Sequence, residues 1–110
     1  MPNPIPKWRR EQVQDRDNGR CVRCGGRGSE CHHRRGRRIR DAETHCPCNL
    51  VTLCRTCHAW VHANPLLAMP PGYIVSRYVA EPFCVPVVIV GHPWKLDCEG
   101  SGKLDVQPGM

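Results

Sequence analysis

The spacing of apolar residues changes several times along this chain, and each change predicts an element. Between residues 5 and 17, Ile5, Trp8 and Val13 can share one helical face. Pro6 suits a first turn and Asn18-Gly19 is a stop signal, so a helix is expected there. From Ser29 to Arg34, Cys31 and His33 alternate with Glu30 and His32, the period of a strand. Gly36 to Pro47 has no period and reads as a loop. Asn49-Leu50-Val51-Thr52-Leu53 is a short apolar run. Arg55 to Ala63 reads as a helix ended by Asn64-Pro65, because the residue before a proline is pushed away from helical geometry.

From residue 65 onward the texture changes, with seven of the eleven prolines lying there. Tyr73-Ile74-Val75, Val87-Val88-Ile89-Val90 and Trp94-Lys95-Leu96 read as short strands, and Gly100-Ser101-Gly102 as a hairpin turn before Leu104. Prolines favour sheet edges and turns over central strands. Residues 1–66 are therefore expected to carry the chemistry, and residues 67–110 to form a β appendage packed on them, with a docking surface as a further use.

Composition sharpens the problem of stability. The chain has 110 residues, of which 40% are apolar but only 5% aromatic. So small a core calls for staples, and nine cysteines are the candidates. No apolar run reaches the roughly 18 residues of a membrane span. The opening ten residues hold no apolar signal segment, so a cytoplasmic protein is expected. Reducing thiol pools disfavour disulfides there, and an odd cysteine count leaves one unpaired.

Spacing then decides. Cys21-Val22-Arg23-Cys24 and Cys54-Arg55-Thr56-Cys57 are two Cys-x-x-Cys pairs, which together supply four thiolates to a structural zinc ion. Redox use of the same pairs is the competing reading. Cys46-Pro47-Cys48 is close-set enough to bind metal but lacks a second pair. Cys31, Cys84 and Cys98 read as small buried residues, with a disulfide among them as the other option.

Charge divides unevenly: residues 1–40 hold twelve Lys or Arg against four Asp or Glu, and the rest hold four against six. The net charge of +6 favours polyanionic partners. Arg34, Arg35, Arg37, Arg38 and Arg40 form the densest basic run, and are expected to tether phosphates, each contact adding about −0.9 to the salt slope on duplex DNA. Such contacts position without specifying, so low sequence specificity is expected. A solvated loop is the other reading of this run.

Four of the six histidines fall in two sets. His58 and His62, at i and i+4, share a helix face and can reach one ion. His32 and His33 point to opposite sides of a strand and should do different work. The plainer readings are a solvated helix face, a fourth zinc ligand, or phosphate contact from His32-His33.

Taken together, Glu30-Cys31-His32-His33-Arg34, then Asn49 through His58, then His62, resemble the HNH endonuclease family over about residues 21–62. The resemblance implies a small, zinc-stabilised α+β fold, with a ββα-metal core, an N-terminal helix and a C-terminal tail of short β-strands. It implies metal-dependent hydrolysis of DNA phosphodiesters, by nicking or double-strand cleavage, leaving 5′-phosphate and 3′-hydroxyl ends. His33 would be the general base and Asn49 the central Asn that holds its loop, although Asn49 fits a plain turn or cap as well. His32, His58 and His62 would hold one catalytic divalent ion, and Cys21, Cys24, Cys54 and Cys57 the structural zinc. An all-histidine site favours Mn²⁺, Co²⁺, Ni²⁺ or Zn²⁺ over Mg²⁺, although phosphate and water oxygens can serve Mg²⁺ too. Many members carry a Pro and a Gly-Gly soon after the base, whereas this chain has Arg34-Arg35-Gly36-Arg37-Arg38. The small basic format is similar to bacteriophage members, which would make the host cytoplasm the compartment and terminase or other packaging proteins candidate partners. The competing function is a non-catalytic zinc module that binds nucleic acid or a packaging partner.

Overall fold

A computed structural model describes residues 4–36, 44–79, 82, 85–99 and 102–105, the last three by backbone only. The chain runs through α1 (Lys7–Arg16), β1 (Glu30–His33), a 3₁₀ turn (Pro47–Asn49), β2 (Leu50–Leu53), α2 (Arg55–Ala63), α3 (Pro65–Ala68), β3 (Val87–Ile89), β4 (His92–Leu96) and β5 (Lys103–Asp105). It is a small α+β fold with two antiparallel sheets, β1-β2 and β3-β4-β5.

α1 starts on the Pro6 carbonyl, which accepts from the Arg9 and Arg10 amides. It ends where Asn18 and Gly19 turn left-handed, at φ 56° and 64°. Only part of its expected apolar face is used. Val13 is fully buried, but Trp8 is 61% exposed, with the Arg9 guanidinium 4.5 Å over its ring. The helix is held instead by a charged residue. Arg16, buried, pairs with Asp17 at 2.9 Å and donates to the Pro47 and Leu50 carbonyls at 2.8 and 2.6 Å. Asp17 in turn accepts from the Thr52 amide at 3.0 Å. A buried ion pair is tolerable when its remaining donors and acceptors are satisfied, as they are here.

β1 and β2 pair with Glu30 opposite Leu53 and His33 opposite Leu50. β2 is buried along its whole length, which explains why it is apolar except at Thr52. α2 follows at once, capped by the Cys54 thiol, which accepts from the Cys57 amide at 3.3 Å. Asn64 closes α2, donating from amide and side chain to the Trp60 carbonyl. Pro65 then opens α3, a short helix that the proline alone did not announce.

One buried cluster joins the first knuckle and β2 to the C-terminal sheet: Val22, Val51, Leu53, Val61, Tyr73, Val87 and Leu96 all belong to it. Tyr73-Ile74-Val75 is not a strand; Val75 makes a single parallel bridge to Arg35. The β3-β4-β5 meander agrees with the other expected strands, and β4 opposite β5 pairs Leu96 with Lys103. The expected turn residues Gly100 and Ser101 lie outside the described residues. Gly72 sits at φ 84°, and a Cβ there would stand 2.1 Å from the Pro86 carbonyl oxygen, so the chain crosses itself where only glycine fits.

Candidate metal centres

The first knuckle is shaped by its own backbone. The Cys21 amide donates to the Gly26 carbonyl at 2.7 Å, and the Gly25 amide returns to Cys21 at 2.8 Å. This brings Cys21 and Cys24 against Cys54 and Cys57 at the start of α2, all four sulfurs lying within 4.8 Å of one another. The Cys24 and Cys54 sulfurs are 3.9 Å apart. A tetrahedron with Zn–S bonds of about 2.3 Å has edges of about 3.8 Å, so the site fits zinc. Amides of Gly26 and Cys57 donate to the Cys24 and Cys54 sulfurs. Arg23 donates to the Cys57 sulfur at 3.5 Å while its guanidinium stacks on Trp60 at 3.8 Å, offsetting the negative charge of clustered thiolates. Burial alone would raise the Cys21 thiol, but backbone N–H groups at Cys54, Cys24 and Arg23 bring it down to about 7.

The second cluster is made of histidines. His32, His58 and His62 each offer a nitrogen within 4.8 Å of the others, with ring centroids 4.7 to 5.6 Å apart. Hydrogen bonds on the far side of two rings fix which nitrogen faces inward. His32 Nε2 lies 2.7 Å from the Tyr73 carbonyl, and a carbonyl only accepts, so that nitrogen carries the proton and Nδ1 has the lone pair. His58 Nδ1 lies 2.6 Å from the Glu30 carboxylate, so its Nε2 turns inward, 3.1 Å from His62 Nε2. Two ring nitrogens facing each other at that distance need a proton or a cation between them. Imidazoles backed by a carbonyl and a carboxylate are the usual outer partners of metal-bound histidine. Burial pushes His32 down to about 4, keeping it neutral and able to ligate at pH 7. The residues present therefore fit a divalent ion held by three nitrogens.

His33 leaves β1 beside this cluster and lines the same open cleft of about 220 Å³ with Cys31, His32, Gly36, His58 and His62. Its Nε2 is 3.1 Å from Nδ1 of His45, a residue that the sequence patterns did not single out. Asn49 is fully buried and clamps the exit of β1. Its Oδ1 accepts from the Arg35 amide at 2.7 Å, and its Nδ2 donates to the Arg35 and Thr44 carbonyls at 3.2 and 3.0 Å.

The arginine run is not a phosphate tether at its first two positions. Arg34 is 1% exposed and Arg35 2%. Arg34 donates to the carbonyls of Gly72, Cys48, Pro82, Val85 and Pro86, and Arg35 to that of Val79. The irregular segment after α3 leaves carbonyls inside the fold, and forked guanidinium groups satisfy them. Burial pushes the Arg34 guanidinium down to about 10, still a cation at neutral pH. Arg37, Arg38 and Arg40 lie outside the described residues. Glu30, Tyr73 and His45 are the site residues that pattern reading missed. Among them only Glu30, three residues before His33 on the same strand, sat where a sequence signal existed.

No family model, curated protein or solved structure matches this chain. Among the described residues no helix is long and apolar enough to cross a membrane.

Proposed function

We propose that the chain is a metal-dependent nuclease of HNH type that hydrolyses DNA phosphodiester bonds. The observation that supports this most is the placing of His33 in one cleft with the three-nitrogen cluster of His32, His58 and His62. A zinc module that only binds nucleic acid needs the four cysteines but has no need of a histidine base beside a second ion. An antiparallel strand pair followed directly by a helix is the frame on which the resemblance would set these residues.

In this reading His33 takes the proton from the attacking water, work that the lone pair of a neutral imidazole facing the cleft can do. His45 holds the His33 ring by their hydrogen bond, and Asn49 fixes the backbone just beyond it. His32, His58 and His62 would hold the divalent ion, oriented by Tyr73 and Glu30, and when bound it supplies Lewis-acid stabilisation of the charge that grows on the phosphate. Cys21, Cys24, Cys54 and Cys57 would hold the structural zinc, tying the N-terminus of α2 to the knuckle and so aligning His58 and His62 on α2 with His32 on β1.

The test is cleavage of supercoiled plasmid by wild type and His33→Ala, each stripped with EDTA and resupplied with Mg²⁺, Mn²⁺, Co²⁺, Ni²⁺ or Zn²⁺. Metal-restored nicking or linearisation by wild type, absent in a folded, zinc-loaded His33→Ala protein, is the expected result. If neither protein cuts with any metal while both retard DNA on a gel, the proposal fails in favour of a binding module.

A further inference from the structure

A third cluster lies apart from both centres. Cys46, Cys48 and Cys98 bring their sulfurs within 4.8 Å of one another. The sequence marked Cys46-Pro47-Cys48 as close-set enough to bind metal but did not reveal its partner, since Cys98 lies within the appendage, far along the chain. Cys46 precedes the 3₁₀ turn Pro47–Asn49, Cys48 lies inside it, and Cys98 follows β4. The Cys46 and Cys48 sulfurs are 3.2 Å apart.

The turn that carries Cys98 is anchored from two directions. Leu96, two residues before it, is buried in the same core cluster as Cys48. Glu99, one residue after it, accepts on its carbonyl from Gln12 of α1 at 2.9 Å, and its amide donates to the Asp97 carboxylate at 3.1 Å. The expectation that Cys98 is a small buried residue is thus corrected: its residue is exposed, and its sulfur turns toward the other two.

We propose that Cys46, Cys48 and Cys98 form a second thiolate site for a zinc ion. Three sulfurs converge, whereas a disulfide joins two and leaves the third with no role. Soft thiolates select Zn²⁺ over the hard ions that suit oxygen ligands. The fourth ligand position falls to water. Binding releases a proton from each thiol that ligates, with no change of oxidation state.

The site has a mechanical consequence. Two of its ligands lie within three residues of Asn49, which clamps the Arg35 backbone, and the third follows β4 of the C-terminal sheet. An ion there would tie the appendage to the turn that positions the exit of β1. This holds whether or not the protein cleaves DNA.

The experiment measures zinc per chain in wild type and in the Cys46→Ser/Cys48→Ser/Cys98→Ser protein. Both are purified under reducing conditions and passed over a weak chelating resin. The expected result is one zinc fewer per chain in the triple variant, with the four-cysteine site still loaded. Equal zinc content in the two folded proteins overturns the proposal. So does a wild-type mass 2 Da low, mapped to a disulfide among these three cysteines. Should the triple variant fail to fold, ¹¹³Cd NMR of the cadmium-substituted wild type decides. Two resonances in the thiolate-rich range support a second thiolate site, and a single one refutes it.

Discussion

Replacing Arg34 by methionine separates two roles that the same residue could have had. In a phosphate tether the change would weaken DNA binding and leave folding alone. In the structure it removes the donor to five backbone carbonyls, two of them, Gly72 and Cys48, at 2.7 Å. Methionine fills much of the space but donates nothing. Hydrogen bonds from a charged donor contribute about 1.5–3 kcal/mol each, so the three shortest represent about 5–9 kcal/mol gross. Releasing a buried guanidinium from its desolvation penalty offsets part of this, but carbonyls left buried and unpaired cost about 1–3 kcal/mol each, so a net loss of about 3–5 kcal/mol is expected. At about 4 °C or more per kcal/mol for a domain of this size, the melting temperature should fall by at least about 12 °C. Arg34→Lys, which keeps the charge but loses the fork, should fall between. Differential scanning fluorimetry on the zinc-loaded proteins reads the first quantity. Fluorescence anisotropy with labelled duplex DNA across a salt series reads the second, and its slope should match wild type. A melting temperature within about 3 °C of wild type, with a salt slope shallower by about 0.9, would refute the reasoning and return Arg34 to the phosphate backbone.

Three further outcomes are expected. Glu30→Gln removes the carboxylate behind His58 and should weaken Mn²⁺ or Co²⁺ binding at the histidine cluster by about 10–100-fold in calorimetric titration, with zinc at the four cysteines unchanged. Tyr73→Phe deletes the hydroxyl that donates to the Val88 carbonyl at 2.8 Å, and should cost about 1 kcal/mol in urea unfolding. His32 has a folded value lowered to about 4 against an ordinary 6.5, so between those pH values the unfolded chain binds a proton that the folded chain does not. In the metal-stripped histidine site, stability should therefore be full above pH 6.5 and drain away as pH falls toward 4, by up to about 1.4 kcal/mol per pH unit. His32→Gln, compared with wild type by urea unfolding across this range, should lose that part of the slope, and an unchanged slope would assign the acid sensitivity elsewhere.

Local pattern determined a good deal of this molecule. The limits of α2, the end of α1 at Asn18-Gly19 and the strands around residues 30–33 and 50–53 follow from periodicity and turn chemistry, which act over a few residues. The convergence of the two Cys-x-x-Cys pairs, and of His58 with His62, was legible because metal ligands two to four residues apart can meet only on a knuckle or one helix face. Tertiary structure decided what depends on the chain's return. Arg34 and Arg35 look like a solvated basic run until the segment after α3 lays its carbonyls over them. Trp8 looks like a core residue, but Arg16 and Asp17 take over the docking of α1 and leave it in solvent. The outer partners of the histidines, a carboxylate from the neighbouring strand position and a carbonyl at residue 73, and the approach of Cys98 to Cys46 and Cys48, join residues far apart in the chain. Ligand types and short spacings are properties of a peptide. Burial, and the partner each polar group finds once buried, belong to the folded chain, because the need to satisfy a buried donor or acceptor arises only when distant segments exclude water from it.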